Sequence, residues 1–222
     1  MTSLTEENYL KALFHLSSKK GEVTVKDLSN ELAIKMPTVT SMMKKFSEKG
    51  LVKYESYKPL KLTEKGSRAA GLVIRKHRLT EMFLVEKMNF GWEEVHEIAE
   101  QIEHVKAPSF FEKMDQMLGH PKFDPHGSPI PDKEGKLEWK QFSKLSEAKA
   151  GDLFELQAVT NSDTSFLSYL NNKNFYLGLH LKIVEIEEFD GSVVVSFGEN
   201  KMEVLSNKVA QGLLGEILNL DS

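Results

Sequence analysis

The sequence predicts a mainly α-helical chain that ends in a β-rich module, and three observations carry that reading. Apolar residues recur at helical spacing in three short segments before residue 50 and in longer ones between 64 and 118. From residue 143 they alternate with period two instead. Between these regimes lies GHPKFDPHGSPIPDKEGKLEWKQF, residues 119–142, rich in Pro, Gly and charge and without a period, which reads as a linker. At 222 residues and 40% hydrophobic content the chain can bury a sizeable core.

Composition removes whole classes of function. There is no cysteine, so disulfides, thiol nucleophiles and thiolate zinc sites are excluded, and any metal must be held by nitrogen and oxygen. No apolar run approaches the roughly 18 residues of a membrane span. The start, MTSLTEENYLKALF, lacks the basic-then-apolar order of a secretory signal, so the expectation is a soluble cytoplasmic protein with no membrane partner. The net charge of −4 conceals an asymmetry, because residues 1–66 carry 12 lysines against 8 acidic residues while the remainder is acidic. A basic module on an acidic body suits a polyanion partner at one end.

In chain order, Tyr9, Leu10, Leu13, Phe14 and Leu16 stripe a first helix from about Thr5 to Lys19, which Gly21 ends. Thr24 and Asp27 form a capping-box signature for a short second helix. Pro37 suits the first turn of a third helix and Gly50 its exit. Two short strands, Leu51 to Glu55 and Leu60 to Thr63, with a turn at Ser56 to Pro59, complete the order of a winged helix-turn-helix over residues 1–63. In such a module the helix after the turn enters the major groove. That places Lys35, Thr38, Thr40 and Ser41 at base edges around Pro37, and Lys44, Lys45 and the wing residues Lys53 and Lys58 near phosphates of double-stranded DNA. Val39, Met42, Met43 and Phe46 read as core.

Thr63 caps a long helix bearing Leu72, Ile74, Leu79, Phe83 and Leu84 up to about Met88. Phe90 and Gly91 turn the chain into WEEVHEIAEQIEHV, which Pro108 stops, and SFFEKMDQML forms one more helix before Gly119. Residues 64–118 expose more apolar surface than one antiparallel pair can bury, which predicts a homodimer with two recognition helices one DNA turn apart.

At about 100° per residue, Val95, Ile98, Ala99, Ile102 and Val105 share one arc of the second long helix while His96, Glu100, Glu103 and His104 share another. One helix earlier His77 and Glu81 stand four apart. Imidazoles and carboxylates at these intervals can converge on a divalent cation. The same residues also suit a solvated face in a chain with 28% charged residues. That leaves a winged-helix regulator of a non-metal ligand, or a di-metal hydrolase, as alternatives; the hydrolase would need a further acid–base group that the sequence does not offer.

The order of winged helix, KHRLTE, VHEIAEQIEHV and PHGSPIP resembles the diphtheria toxin repressor family of metal-dependent bacterial repressors over residues 4 to about 132. The resemblance implies a transcriptional repressor, not an enzyme, controlling metal-uptake and homeostasis genes. It would be a homodimer on operator DNA, activated by Mn²⁺ or Fe²⁺ with two ions per subunit and no small-molecule substrate. It implies an ancillary site at His77, Glu81 and His96 and a primary site at Glu100, Glu103, His104 and Asn8. Iron-responsive members carry cysteine where Glu100 stands, so a carboxylate here points to manganese. Lys11 stands where some two-domain members have a glutamate ligand, which favours the three-domain variety.

From Ser143, LFELQAV, LKIVEIEEF, SVVVSFG and KMEVL read as strands of a small SH3-like β-barrel over residues 143–222, with a hairpin turn at Asp190–Gly191 and a helix in SDTSFLSYL. The resemblance makes this module FeoA-type and offers Asp163 as an oxygen ligand of the ancillary ion. His120 and His126 lie in the linker without a carboxylate at ligand spacing and are expected to be solvated.

Overall fold

Ser3 starts the first helix: its hydroxyl accepts from the Glu6 N–H, and the Glu6 carboxylate accepts from the Ser3 N–H. In this computed structural model, which describes residues 3–138 and 140–218, helix α1 runs Leu4–Lys20 and ends where Gly21 adopts φ 74°. Met1, Thr2, Trp139 and residues 219–222 of the expected domains lie outside the described residues. The Thr24–Asp27 capping box opens α2 (Val25–Glu31), and Pro37 lies in the first turn of α3 (Met36–Glu48). Strands β1 (Val52–Lys53) and β2 (Lys61–Leu62) pair antiparallel as a wing, shorter than the expected strands, with Leu60 donating to the Val23 carbonyl at 2.7 Å. The core beneath is Tyr9, Leu10, Leu13, Leu28, Val39, Met43 and Phe46, and Tyr9 meets Phe46 edge to face at 6.4 Å.

Thr63 Oγ1 accepts from the Gly66 N–H at 3.0 Å to begin α4 (Glu64–Met88). A Cβ on Gly71 would sit 2.0 Å from the Gly135 carbonyl oxygen, so the stretch around Gly135 lies directly on α4 and is no free linker. Arg75 reinforces that seat by donating to the Pro131 carbonyl at 2.7 Å. Helix α5 (Val95–Ile102) is shorter than expected, and Glu103 and His104 occupy the turn that ends it. Pro108 does not terminate α5; it opens α6 (Pro108–Met117), where its missing N–H costs no bond.

The C-terminal module contains β3 (Ser143–Lys144), β4 (Leu153–Val159), α7 (Thr164–Asn172), β5 (His180–Ile186), β6 (Val193–Phe197), β7 (Lys201–Leu205), α8 (Asn207–Ala210) and β8 (Leu213–Leu218). The six strands pair antiparallel in the order β3-β8-β4-β5-β6-β7, with β3 and β7 at the two ends, so the SH3-like module is an open sheet. Strand β8, in LLGEIL, was not anticipated, although it occupies a central position between β3 and β4. Phe154, Leu156, Leu181, Ile183, Val195 and Leu213 pack under Leu167 and Leu170 of α7. At the β5–β6 hairpin Gly191 takes φ 69°, and Ser192 N–H donates to Asp190 Oδ1.

The chain divides into two compact units. One gathers the described residues up to Thr80 with Ala99–Lys122 and Ile130–Glu138; the other gathers Glu81–Ile98, Phe123–Pro129 and the described residues after 139. Among the described residues, no helix is long and apolar enough to cross a membrane.

Candidate metal centre

In the first unit the focus is Glu103, whose side chain is 0% exposed. Its Oε2 lies 2.6 Å from His77 Nδ1, and its Oε1 lies 2.7 Å from Lys11 Nζ and 3.5 Å from His104 Nε2. Lys11 Nζ also reaches Glu100 Oε1 at 2.5 Å. Burial opposes the charge on Glu103, but the His77 hydrogen bond and the Lys11 and His77 charges outweigh it, and its pKa falls below the usual carboxylate value. The short helix is what makes this possible, because the turn at 103–104 aims Glu103 inward instead of along a solvated face.

Glu7 on α1 was not singled out by spacing, yet it is buried and its Oε2 sits 2.8 Å from His104 Nδ1, with Lys76 Nζ at 3.6 Å. A carboxylate on Nδ1 orients the ring and leaves Nε2 toward Glu103, the arrangement seen behind many ligating histidines. Asn8, one residue on, has a buried Oδ1 without a hydrogen-bond partner. A buried amide oxygen with nothing to accept is costly, and a cation is one way to satisfy it. Glu100, Glu103, His104 and Asn8 carry hard oxygen and nitrogen donors, the chemistry that suits a divalent ion.

His77 lies in the first unit, where it contacts Glu103, and Glu81 and His96 lie in the second. There, His96 Nδ1 is 3.2 Å from Glu81 Oε1. Glu81, Asp124 and His126, all buried, offer ligand atoms that lie within 4.8 Å of one another. This corrects the expectation that His126 is solvated. His126 Nε2 donates to the Trp92 carbonyl at 2.9 Å and its ring stacks on Trp92, which leaves Nδ1 facing Glu81 Oε2 at 3.8 Å. Asp124 Oδ1 accepts from the His126 and Ser128 N–H groups and rigidifies the loop. Gly127 at φ 84° lies so close to β4 that a Cβ would be 2.2 Å from the Gln157 carbonyl. Burial lowers the affinity of His126 for a proton, but Glu81 and Asp124 more than compensate, and its pKa rises above the ordinary imidazole value. The available sequence signal was the Asp-Pro-His-Gly spacing, an Asx turn with an imidazole two residues on. His120 is mostly exposed, with Nδ1 2.8 Å from Asp115.

Asp163 is the N-cap of α7, its Oδ1 accepting from Ser165 N–H and, at longer range, Phe166 N–H; it is not among the side chains gathered with Glu81. On the winged module Lys35, Pro37, Thr38, Ser41, Lys44, Lys45, Lys53 and Lys58 are exposed and Thr40 is half-buried. Lys45 has a partner: its Nζ lies 3.1 Å from Glu6 Oε1, which also holds Lys49 at 2.5 Å. Lys49 and Lys45 bring the buried Glu6 carboxyl down to about 2. Fully exposed Tyr57, with φ 66° at the wing tip, is a further surface aromatic that spacing did not single out.

Three family descriptions match successive segments: iron dependent repressor, N-terminal DNA binding domain, at residues 1–60; iron dependent repressor, metal binding and dimerisation domain, at 63–132; and FeoA domain at 143–217. The iron-dependent repressor IdeR of Mycobacterium bovis is 34% identical over 127 residues, 57% of this chain and 55% of that protein. The match thus spans little more than half the length of that curated relative. A solved manganese-dependent transcriptional repressor in complex with manganese superposes with TM-score 0.85 at 29% identity, covering 96% of this chain and 99% of the other. The structure of ScaR with bound Cd²⁺ superposes with TM-score 0.78 at 30% identity, covering 96% and 99%.

Proposed function

The chain belongs to the iron-dependent repressor family, and from that premise we propose that it is a metal-dependent transcriptional repressor acting on operator DNA in the cytoplasm as a homodimer. The observation that carries this reading is the convergence of Glu100, Glu103 and His104 with α1, whose Glu7 aims His104 and whose Asn8 keeps a buried oxygen unpaired. Glu100, Glu103, His104 and Asn8 would hold one ion. Glu81, Asp124 and His126, joined by His96, would hold a second. A bound dication would supply positive charge shared between α1 and the end of α5. The oxygen-rich donor set, with Glu100 in place of a sulfur ligand, favours Mn²⁺ over softer ions.

The chain's own residues supply the link to DNA. On α1, Glu7 and Asn8 stand beside Glu6, which grips Lys45 and Lys49 at the end of α3. Shifts of α1 at the site are therefore felt by the recognition helix, and a coupling of about 3 kcal/mol would change occupancy roughly 150-fold. Lys35, Pro37, Thr38, Thr40 and Ser41 face the groove in this reading, and Lys44, Lys45, Lys53 and Lys58 the phosphates. Support for a homodimer comes from Leu72, Val105, Phe110 and Met117, large apolar side chains exposed on the helices of residues 64–118. An apolar hollow of about 470 Å³ bordered by Leu72, Val105 and Phe111 adjoins them.

The test is selection from a random-sequence DNA pool with Mn²⁺, with Fe²⁺ under anaerobic conditions, and with chelator. Enrichment of a two-fold symmetric sequence only with metal is expected; equal enrichment in chelator would sink the reading. Lys44→Ala should then weaken binding to all sequences alike and lower the salt slope by about one.

A further inference from the structure

We propose that Lys11 is a tethered counter-cation of the Glu100–Glu103 pair, which a divalent ion must displace, so that this side chain sets the metal concentration at which the protein responds. The proposal rests on the metal-binding reading of that cluster. Lys11 Nζ lies 2.5 Å from Glu100 Oε1 and 2.7 Å from Glu103 Oε1, one oxygen of each carboxylate assigned to the ion. Its side chain is 13% exposed, so the ammonium is committed to this position and does not sample water freely. Glu103 is wholly buried, and a buried carboxylate without a cationic partner is strongly unfavourable. Lys11, with His77, meets that need.

An ammonium and a dication cannot both occupy bonding positions on the same two oxygens, and at such separation in a poorly hydrated site their repulsion is large. Association of the ion is therefore an exchange: two charge-assisted contacts of Lys11 are broken as the coordination bonds form. The four-carbon stem lets the ammonium withdraw while Lys11 stays on α1. The exchange also means that α1 and the end of α5 are already joined by Lys11, and by Glu7 with His104. An ion replaces one tie by another and does not create the only one.

Two substitutions of opposite sign test this by calorimetry with Mn²⁺ on the full chain. Lys11→Met keeps the apolar stem and removes the charge; it should bind Mn²⁺ tenfold or more tightly than the unaltered protein and melt at lower temperature in chelator. Lys11→Arg, whose fork can hold two carboxylates at once, should bind Mn²⁺ more weakly and melt no lower. Circular dichroism establishes that each variant is folded. Unchanged or weaker binding in Lys11→Met, with Lys11→Arg like the unaltered protein, would overturn the proposal. If the unaltered protein binds no Mn²⁺ and Glu103→Gln changes nothing, the metal-binding reading itself has failed, and the inference with it.

Discussion

The two histidine and carboxylate clusters use the same side-chain chemistry on different backbones. The cluster around Glu103 draws on α1, α4 and the turn after α5, and it contains its own cation in Lys11. The cluster of Glu81, Asp124 and His126 combines one helical residue with a loop pinned to β4, and its imidazole faces both carboxylates. The first thus holds a fixed cation before any ion arrives. In the second, Glu81 and Asp124 beside His126 make that ring more basic against the effect of burial.

The largest expected effect tests whether Glu103 is the keystone of the first cluster. Glu103→Ala leaves Lys11 and His77 buried without their common partner, and should cost about 3–5 kcal/mol of stability together with the Mn²⁺ response. Thermal melts and calorimetry read both; a variant as stable as its parent would show that the buried pairing contributes little.

Next in size, Glu100→Cys exchanges a hard oxygen for a polarisable sulfur in the first cluster only. DNA binding against concentration of each ion, measured anaerobically, should move from a Mn²⁺ preference toward Fe²⁺, Co²⁺ or Zn²⁺. An unchanged order would remove Glu100 from the ligands. His104→Ala should lower affinity for all ions together.

The opposite pKa shifts of the two clusters also predict different responses to pH in chelator. The pKa of His126 is raised on folding, so its contribution is fully present below the unfolded value of about 6.5 and is lost as pH rises through the folded value. Glu103 is depressed, so its contribution is present above the unfolded carboxylate range and is lost only in acid, as pH falls through its folded value. The stability gap between the unaltered protein and His126→Gln should therefore shrink between pH 6 and pH 8.5, both set as ~ experimental limits around the imidazole range. A gap that widens would show His126 to be held neutral.

The smallest effect is expected at Asp163. Its capping oxygen serves α7, so Asp163→Ala should lower the melting temperature slightly and leave Mn²⁺ stoichiometry unchanged. Loss of one equivalent of metal would instead make Asp163 a ligand of the second cluster.

Periodicity and caps carried most of the helical half. Thr24 with Asp27, Pro37 and Thr63 mark helix starts by local hydrogen bonding, which needs no tertiary information. The same local logic foresaw that Glu103 and His104 would be ligand candidates, but for an incomplete reason. A regular helix to Pro108 was expected, whereas α5 stops at Ile102 and the turn, not the helix face, orients these residues. In the C-terminal module, alternation identified β4 to β7 and missed β8, where glycine at 215 interrupts the pattern and lets the Phe154 ring approach.

By itself the sequence determined the helix starts, the wing and its basic face, the absence of thiol chemistry, and the residue types available to an ion. These follow from side-chain chemistry and from periods of a few residues. Only the tertiary structure decided which of those side chains meet. Glu7 behind His104, Lys11 across Glu100 and Glu103, and His126 against Glu81 are separated in the chain by 45 residues or more. Such contacts depend on how helices and loops pack, and no local rule of spacing encodes them.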